Sequence, residues 1–119
     1  MAIILSKSLP KRIAVCGSNV LTSQSVINIA ENLGSEIGKH NGILLCGGMG
    51  GVMESVSRGV KKSNGITVGI LPNENKSDAN PYTDIIINTS LGKIRNFFVV
   101  SIADVVIGIA GSWGTLSEL

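Results

Sequence analysis

Between residues 44 and 54 the chain reads Leu-Leu-Cys-Gly-Gly-Met-Gly-Gly-Val-Met-Glu: an apolar run, a glycine cluster, then a helix-like pattern. Glycine is needed where a backbone takes positive φ or where a ligand must approach without a Cβ in its way. A helix that starts at such a turn points its first N–H groups outward, and those groups attract anions. Gly47, Gly48, Met49, Gly50 and Gly51 are therefore candidate phosphate-binding residues. The alternative is a tight strand-to-helix turn that holds nothing, and one glycine-rich turn does not separate the two.

Other residues bear on the choice. Gly17 and Ser18 close a short apolar run at 11–16, and a second glycine turn, Ala110-Gly111-Ser112-Trp113-Gly114, follows another apolar run at 105–109. Thr115 can cap a helix there, so Gly111, Ser112, Gly114 and Thr115 join the anion-binding candidates. Arg95 and Glu118 each fall in the first turn of an expected helix. An Arg so placed can fork onto a phosphate or carboxylate, and a Glu beside sugar hydroxyls can accept their hydrogen bonds or act as a base on water. The plainer readings are a solvated arginine and a glutamate that complements its helix N-terminus.

Neither glycine segment is a P-loop, since no Gly-Lys-Ser/Thr follows, and no acidic residue ends the strand at Ile70 to hold a ribose. A single histidine, His40, sits in a turn after an expected helix and leaves little for imidazole catalysis. Cys16 and Cys46 each end an apolar run and read as buried thiols, and no Cys/His cluster has metal-ligand spacing.

These residues need a scaffold. At 119 residues, 44% apolar and 15% charged, the chain suits one domain with a core of Ile, Val, Leu and Ala. Short apolar runs at 11–16, 42–46, 66–71, 84–88 and 104–109 read as buried strands. Helical spacing appears between them. Val26, Ile27, Ala30, Leu33 and Ile37 form one stripe, with Thr22, Ser23 or Ser25 as N-cap and Gly38 or Gly42 as the stop. Val52, Met53, Val56 and Val60 form a second, and Ile94, Phe97, Phe98, Ser101 and Ile102 are expected to form the inward face of a third.

The alternation argues for an α/β fold, a doubly wound parallel sheet of about five strands with flanking helices. In such a sheet the turns after the strands share one edge, so both glycine turns, Arg95 and Glu118 would flank one cleft. The polar segment 73–83 could fold over a ligand or be a solvated loop. Residues 1–10 read as a lead-in and 11–119 as the domain, C-terminally incomplete because Leu116 to Leu119 supplies about one helical turn.

A net charge of +2, with scattered Lys and Arg, argues against nucleic acid and anionic membrane surfaces as partners. No apolar stretch approaches the ~20 residues of a membrane span, and no secretory pattern opens the chain, so a cytoplasmic protein is expected.

Taken together, Cys46 to Glu54, Ser57-Arg58-Gly59, Thr67 to Pro72, Arg95-Asn96, Ala103-Asp104 and Gly111 to Glu118 resemble the LOG (LONELY GUY) family, often labelled lysine decarboxylase-like. The wording is most similar to the branch containing the molybdenum cofactor carrier proteins. The resemblance implies a Rossmann-like fold, a phosphate-binding glycine loop, and a homo-oligomer, dimer or higher. It also implies a phosphorylated small molecule as partner, either a nucleoside monophosphate or the molybdenum cofactor.

The LOG enzymes cut a nucleoside 5′-monophosphate at its N-glycosidic bond, and their arginine and glutamate correspond to Arg95 and Glu118. The chain departs from the enzymes' pattern, with Ala110 for a proline, Ser112 for a glycine and Asn96 for a lysine. The resemblance therefore favours a binding or carrier role, with a phosphoribohydrolase as the alternative and a single-stranded DNA-binding module as a second alternative.

Overall fold

The computed structural model describes residues 9–17 and 23–109. The elements run β1 (Arg12–Cys16), α1 (Gln24–Lys39), β2 (Ile43–Cys46), α2 (Val52–Lys62), β3 (Ile66–Leu71), β4 (Ile85–Asn88), α3 (Arg95–Ser101) and β5 (Val105–Gly108). Among the described residues the strands form one parallel sheet in the order β4-β3-β2-β1-β5. The chain builds outward from β1 to β4, then returns to place β5 on the other side of β1. That reversal makes the β1/β5 edge a topological switch point, where ligands of open α/β sheets bind.

Sequence chemistry explains the helix ends. Ser23 is the N-cap of α1, its hydroxyl accepting from the Val26 N–H at 3.4 Å. Of the two expected glycine stops, Gly38 is corrected by the structure, since α1 continues through it; the helix ends before Gly42, with Asn41 as the left-handed residue at φ of 58°. The Gly42 N–H then reaches the Ile37 carbonyl at 2.9 Å. The end of α2 repeats this arrangement, with Asn64 at φ of 59° and the Gly65 N–H on the Val60 carbonyl at 2.9 Å. Both are Schellman ends, in which asparagine takes the positive φ and the residue after it reaches back.

Helices α1 and α2 cover one face of the sheet and pack closely on each other. A Cβ on Gly34 would run into the Val56 carbonyl, and one on Gly59 into the Glu31 carbonyl. Val15, Leu44, Cys46, Val56 and Val60 fill the space beneath them. Across this seam Glu31 takes hydrogen bonds from Arg58 at 2.9 Å and from Lys62. Lys62, then Arg58, hold the Glu31 carboxyl below its ordinary range.

A carboxyl with a lowered folded-state pKa adds stability above its unfolded pKa, and that stability is lost as pH falls through the folded value. Acid titration of the unfolding midpoint is therefore expected to fall less steeply below about pH 4.5 in Glu31→Gln than in the parent. An unchanged slope would remove this role.

The other face holds α3. Val99 is buried against Ala14, Leu45, Val68 and Ile70, with Ile102 packed beside it. This corrects the expected inward stripe. Arg95, Val99 and Ile102 face inward, whereas Phe97 is 76% and Ile94 66% exposed, and Phe98 and Ser101 are exposed as well. On that inward face the Arg95 guanidinium reaches the Ile70 carbonyl at 2.9 Å, beside the packing of Val99 and Ile102.

Candidate functional site

The glycine segment joins the C-terminal end of β2 to the start of α2. Positive φ within it falls on Gly48, at 76°, and on Gly51, at 65°, which is the N-cap of α2. Both values suit glycine and strain other residues. Gly48 also meets a second constraint, because a Cβ there would lie 2.9 Å from the Gly69 Cα on β3. At Gly51 the carbonyl accepts from the Ser55 N–H at 3.1 Å and the Ser55 hydroxyl at 3.2 Å. The N–H groups of the first turn of α2 come directly after it, and such groups have no partner within their own helix.

Gly47 serves a different purpose. A Cβ there would collide with the Arg95 guanidinium and lie 2.5 Å from the Met53 sulfur. Arg95 is 9% exposed and lies over Gly47, with Nη1 donating to the Ile70 carbonyl at 2.9 Å and Nη2 to Met49 Sδ at 3.8 Å. The structure thus brings together Arg95, Gly47 and Met49, which the sequence had placed only on a common edge.

Cys46 lies beneath the loop. Its sulfur accepts from the Gly48 N–H at 3.4 Å and sits 3.8 Å from the Ser57 hydroxyl. Burial pushes the Cys46 thiol up, against the opposing effects of Gly48, Ser57 and the Arg95 charge. The thiol is therefore neutral packing at ordinary pH rather than a nucleophile. Cys16 is also buried.

Gly17 stands at the end of β1, and a Cβ on it would lie 2.6 Å from the Val52 side chain. The first turn thus abuts the start of α2, and two of the expected anion-binding segments are neighbours. Ser18, Gly111, Ser112, Gly114, Thr115 and Glu118 lie outside the described residues.

Segment 73–83 carries the residue that sequence reasoning missed. It connects the parallel strands β3 and β4 without an α-helix, through one 3-10 turn, Lys76–Asp78. From it Asn80 reaches the glycine loop, its N–H on the Gly48 carbonyl at 2.8 Å and its Nδ2 on the Met49 carbonyl at 2.9 Å. The available signal was the Asn-Pro pair at 80–81, a turn signature. Nothing local shows where that turn docks. Among the described residues no group of His, Cys, Asp or Glu side chains converges as a metal site, and no helix is long and apolar enough to cross a membrane.

A five-stranded parallel sheet with a glycine turn after its second strand and an arginine folded over it is a Rossmann-like arrangement. The chain belongs to the SLOG cluster4 family, whose model matches residues 10–119. It is 38% identical over 96 residues to a protein of Archaeoglobus fulgidus, covering 81% of this chain and 63% of that one.

Among solved structures, it is similar to the molybdenum cofactor binding protein of the phototrophic bacterium Rippkaea orientalis. The TM-score is 0.89 and the identity 39%, over 94% of this chain and 69% of that one. The Moco carrier protein of Chlamydomonas reinhardtii aligns with a TM-score of 0.84 and 31% identity, over 92% of this chain and 68% of that one. The chain thus spans about two thirds of the length of these relatives.

Proposed function

We propose that this chain binds a phosphorylated pterin-type or nucleotide ligand and holds it without chemistry, as a molybdenum cofactor carrier does. The observation that carries the reading is Arg95, a nearly buried cation folded over a glycine loop at the ligand-binding end of a parallel sheet. A phosphate monoester fits that combination, since backbone N–H groups and a planar guanidinium both suit its oxygens. Gly17, Gly47, Gly48, Met49, Gly50 and Gly51 would line the phosphate end. Ser18, Gly111, Ser112, Gly114 and Thr115 keep their candidate status from the sequence. The molybdenum cofactor binding protein of Rippkaea orientalis supports the pterin-type ligand by its 39% identity.

The second reading is a nucleoside 5′-monophosphate phosphoribohydrolase, favoured by the position of Arg95, with Glu118 as its partner on the sugar. A carrier role predicts no useful release of free base. The test has two arms. Native mass spectrometry of the protein as isolated is expected to show a bound phosphorylated species and the subunit count. Incubation with adenosine 5′-monophosphate is expected to leave the nucleotide intact. Released adenine that disappears in Glu118→Gln would replace the carrier reading with the hydrolase.

The same experiment addresses assembly, for which we propose a homo-oligomer. Ile85 and Ile87 of β4 stand in register with Val68 and Ile70, on the side of the sheet that α3 covers. They are exposed, as are Ile94 and Phe97 on the outer side of α3. Exposed apolar surface of this kind suits burial against a second subunit.

A further inference from the structure

Asn80 is 7% exposed although the segment around it is polar and lies at the surface. Its side-chain Oδ1 accepts from the Tyr82 N–H at 3.0 Å and from the Thr83 hydroxyl at 3.2 Å. Those two donors fix which end of the amide is oxygen, so the donor end must face the Met49 carbonyl. The side chain is thus held by its own segment and presents one N–H group to the glycine loop. The backbone N–H of the same residue takes the adjacent carbonyl, that of Gly48.

Two captured carbonyls in succession have a geometric result. A trans peptide is planar, and its C=O and N–H point in opposite directions; the described chain contains no cis peptide. Holding the Gly48 oxygen toward Asn80 therefore turns the Met49 N–H away from the crossover. Holding the Met49 oxygen toward Asn80 does the same to the Gly50 N–H. Successive N–H groups facing one way form an anion-binding concavity, and Gly48 permits it by taking a φ of 76°.

Resting on the anion-binding reading given above, we propose that Asn80 is the positioning residue of this site, aiming the Met49 and Gly50 N–H groups at a phosphate monoester. It acts through the loop rather than on the ligand. The division between its two donors is specific. The backbone N–H survives any substitution except proline and keeps the Met49 N–H directed. The side chain alone directs the Gly50 N–H.

Titration of the full chain with inorganic phosphate, followed by backbone amide resonances, tests this. In the parent protein phosphate is expected to shift the Met49 and Gly50 amides in a saturable way. In Asn80→Ala and in the isosteric Asn80→Asp, phosphate affinity is expected to fall about five- to tenfold, the worth of one lost hydrogen bond. Before any phosphate is added, the Gly50 amide is expected to move more than that of Met49, while resonances of α1 stay in place. Asn80→Ser supplies the same comparison should the alanine variant fail to fold.

Parent protein that does not bind phosphate would overturn the site reading and this proposal with it. Parent binding with unchanged affinity in the variants would overturn the proposal alone. Weakening in Asn80→Asp but not in Asn80→Ala would also overturn it, because that pattern reports only the introduced negative charge.

Discussion

Replacing Arg95 with methionine is expected to weaken phosphate-monoester binding about ten- to a hundredfold, the worth of one or two charge-assisted hydrogen bonds. Methionine keeps much of the packing volume at a position that is 9% exposed, so the loss reports chemistry rather than a void. Arg95→Lys is expected to recover only part of the affinity. An ammonium is a point charge and cannot hold the Ile70 carbonyl with one nitrogen while presenting another to a ligand in the same plane. Isothermal titration with adenosine 5′-monophosphate, beside a melting curve, separates affinity from folding. Full affinity in Arg95→Met would remove the arginine from the site.

Gly48→Ala is expected to lower stability by about 2–4 kcal/mol. It combines a side chain at a φ of 76° with a Cβ placed 2.9 Å from the Gly69 backbone. The nearest obstacle is backbone rather than the end of a flexible side chain, so strand β3 or the loop itself must move. Gly47→Ala makes an instructive contrast. Its new Cβ would meet side-chain atoms, the far end of Arg95 and the Met53 sulfur, rather than backbone. Urea unfolding is therefore expected to separate the two alanines clearly, with Gly48→Ala unfolding much earlier. Similar midpoints would show that the close approach to Gly69 is not a constraint.

The strand-helix alternation was readable because parallel strands buried on both faces leave short apolar runs, and because a hydroxyl residue, Ser23 among the candidates, marks the start of α1. The glycine loop was readable as a cluster, although the separate tasks of its members were not. Gly47 makes room for a side chain that lies 48 positions further along the chain, as its contact with Arg95 shows. Gly34 and Gly59 carry the same lesson: a glycine within a helix does not reveal what crosses it. The orientation of α3 was misread because apolar residues were assigned inward by type. The inward face instead carries a buried arginine that holds a carbonyl, with Phe97 and Ile94 exposed.

The brace on the glycine loop also orders events during synthesis. Chains emerge from the ribosome N-terminus first, and early segments begin to collapse before later ones exist. Here β1, α1, β2 and α2 come out with every loop glycine already in place. Yet Gly69, Asn80 and Arg95, which confine the loop, all come after it in the chain. A nascent chain that has not yet reached residue 95 holds the loop glycines without the contacts that fix their geometry. Under the proposed function, ligand capture would thus be a late event in the making of this protein, and its onset would mark the point at which β3, the Asn80 crossover and α3 have locked the N-terminal half.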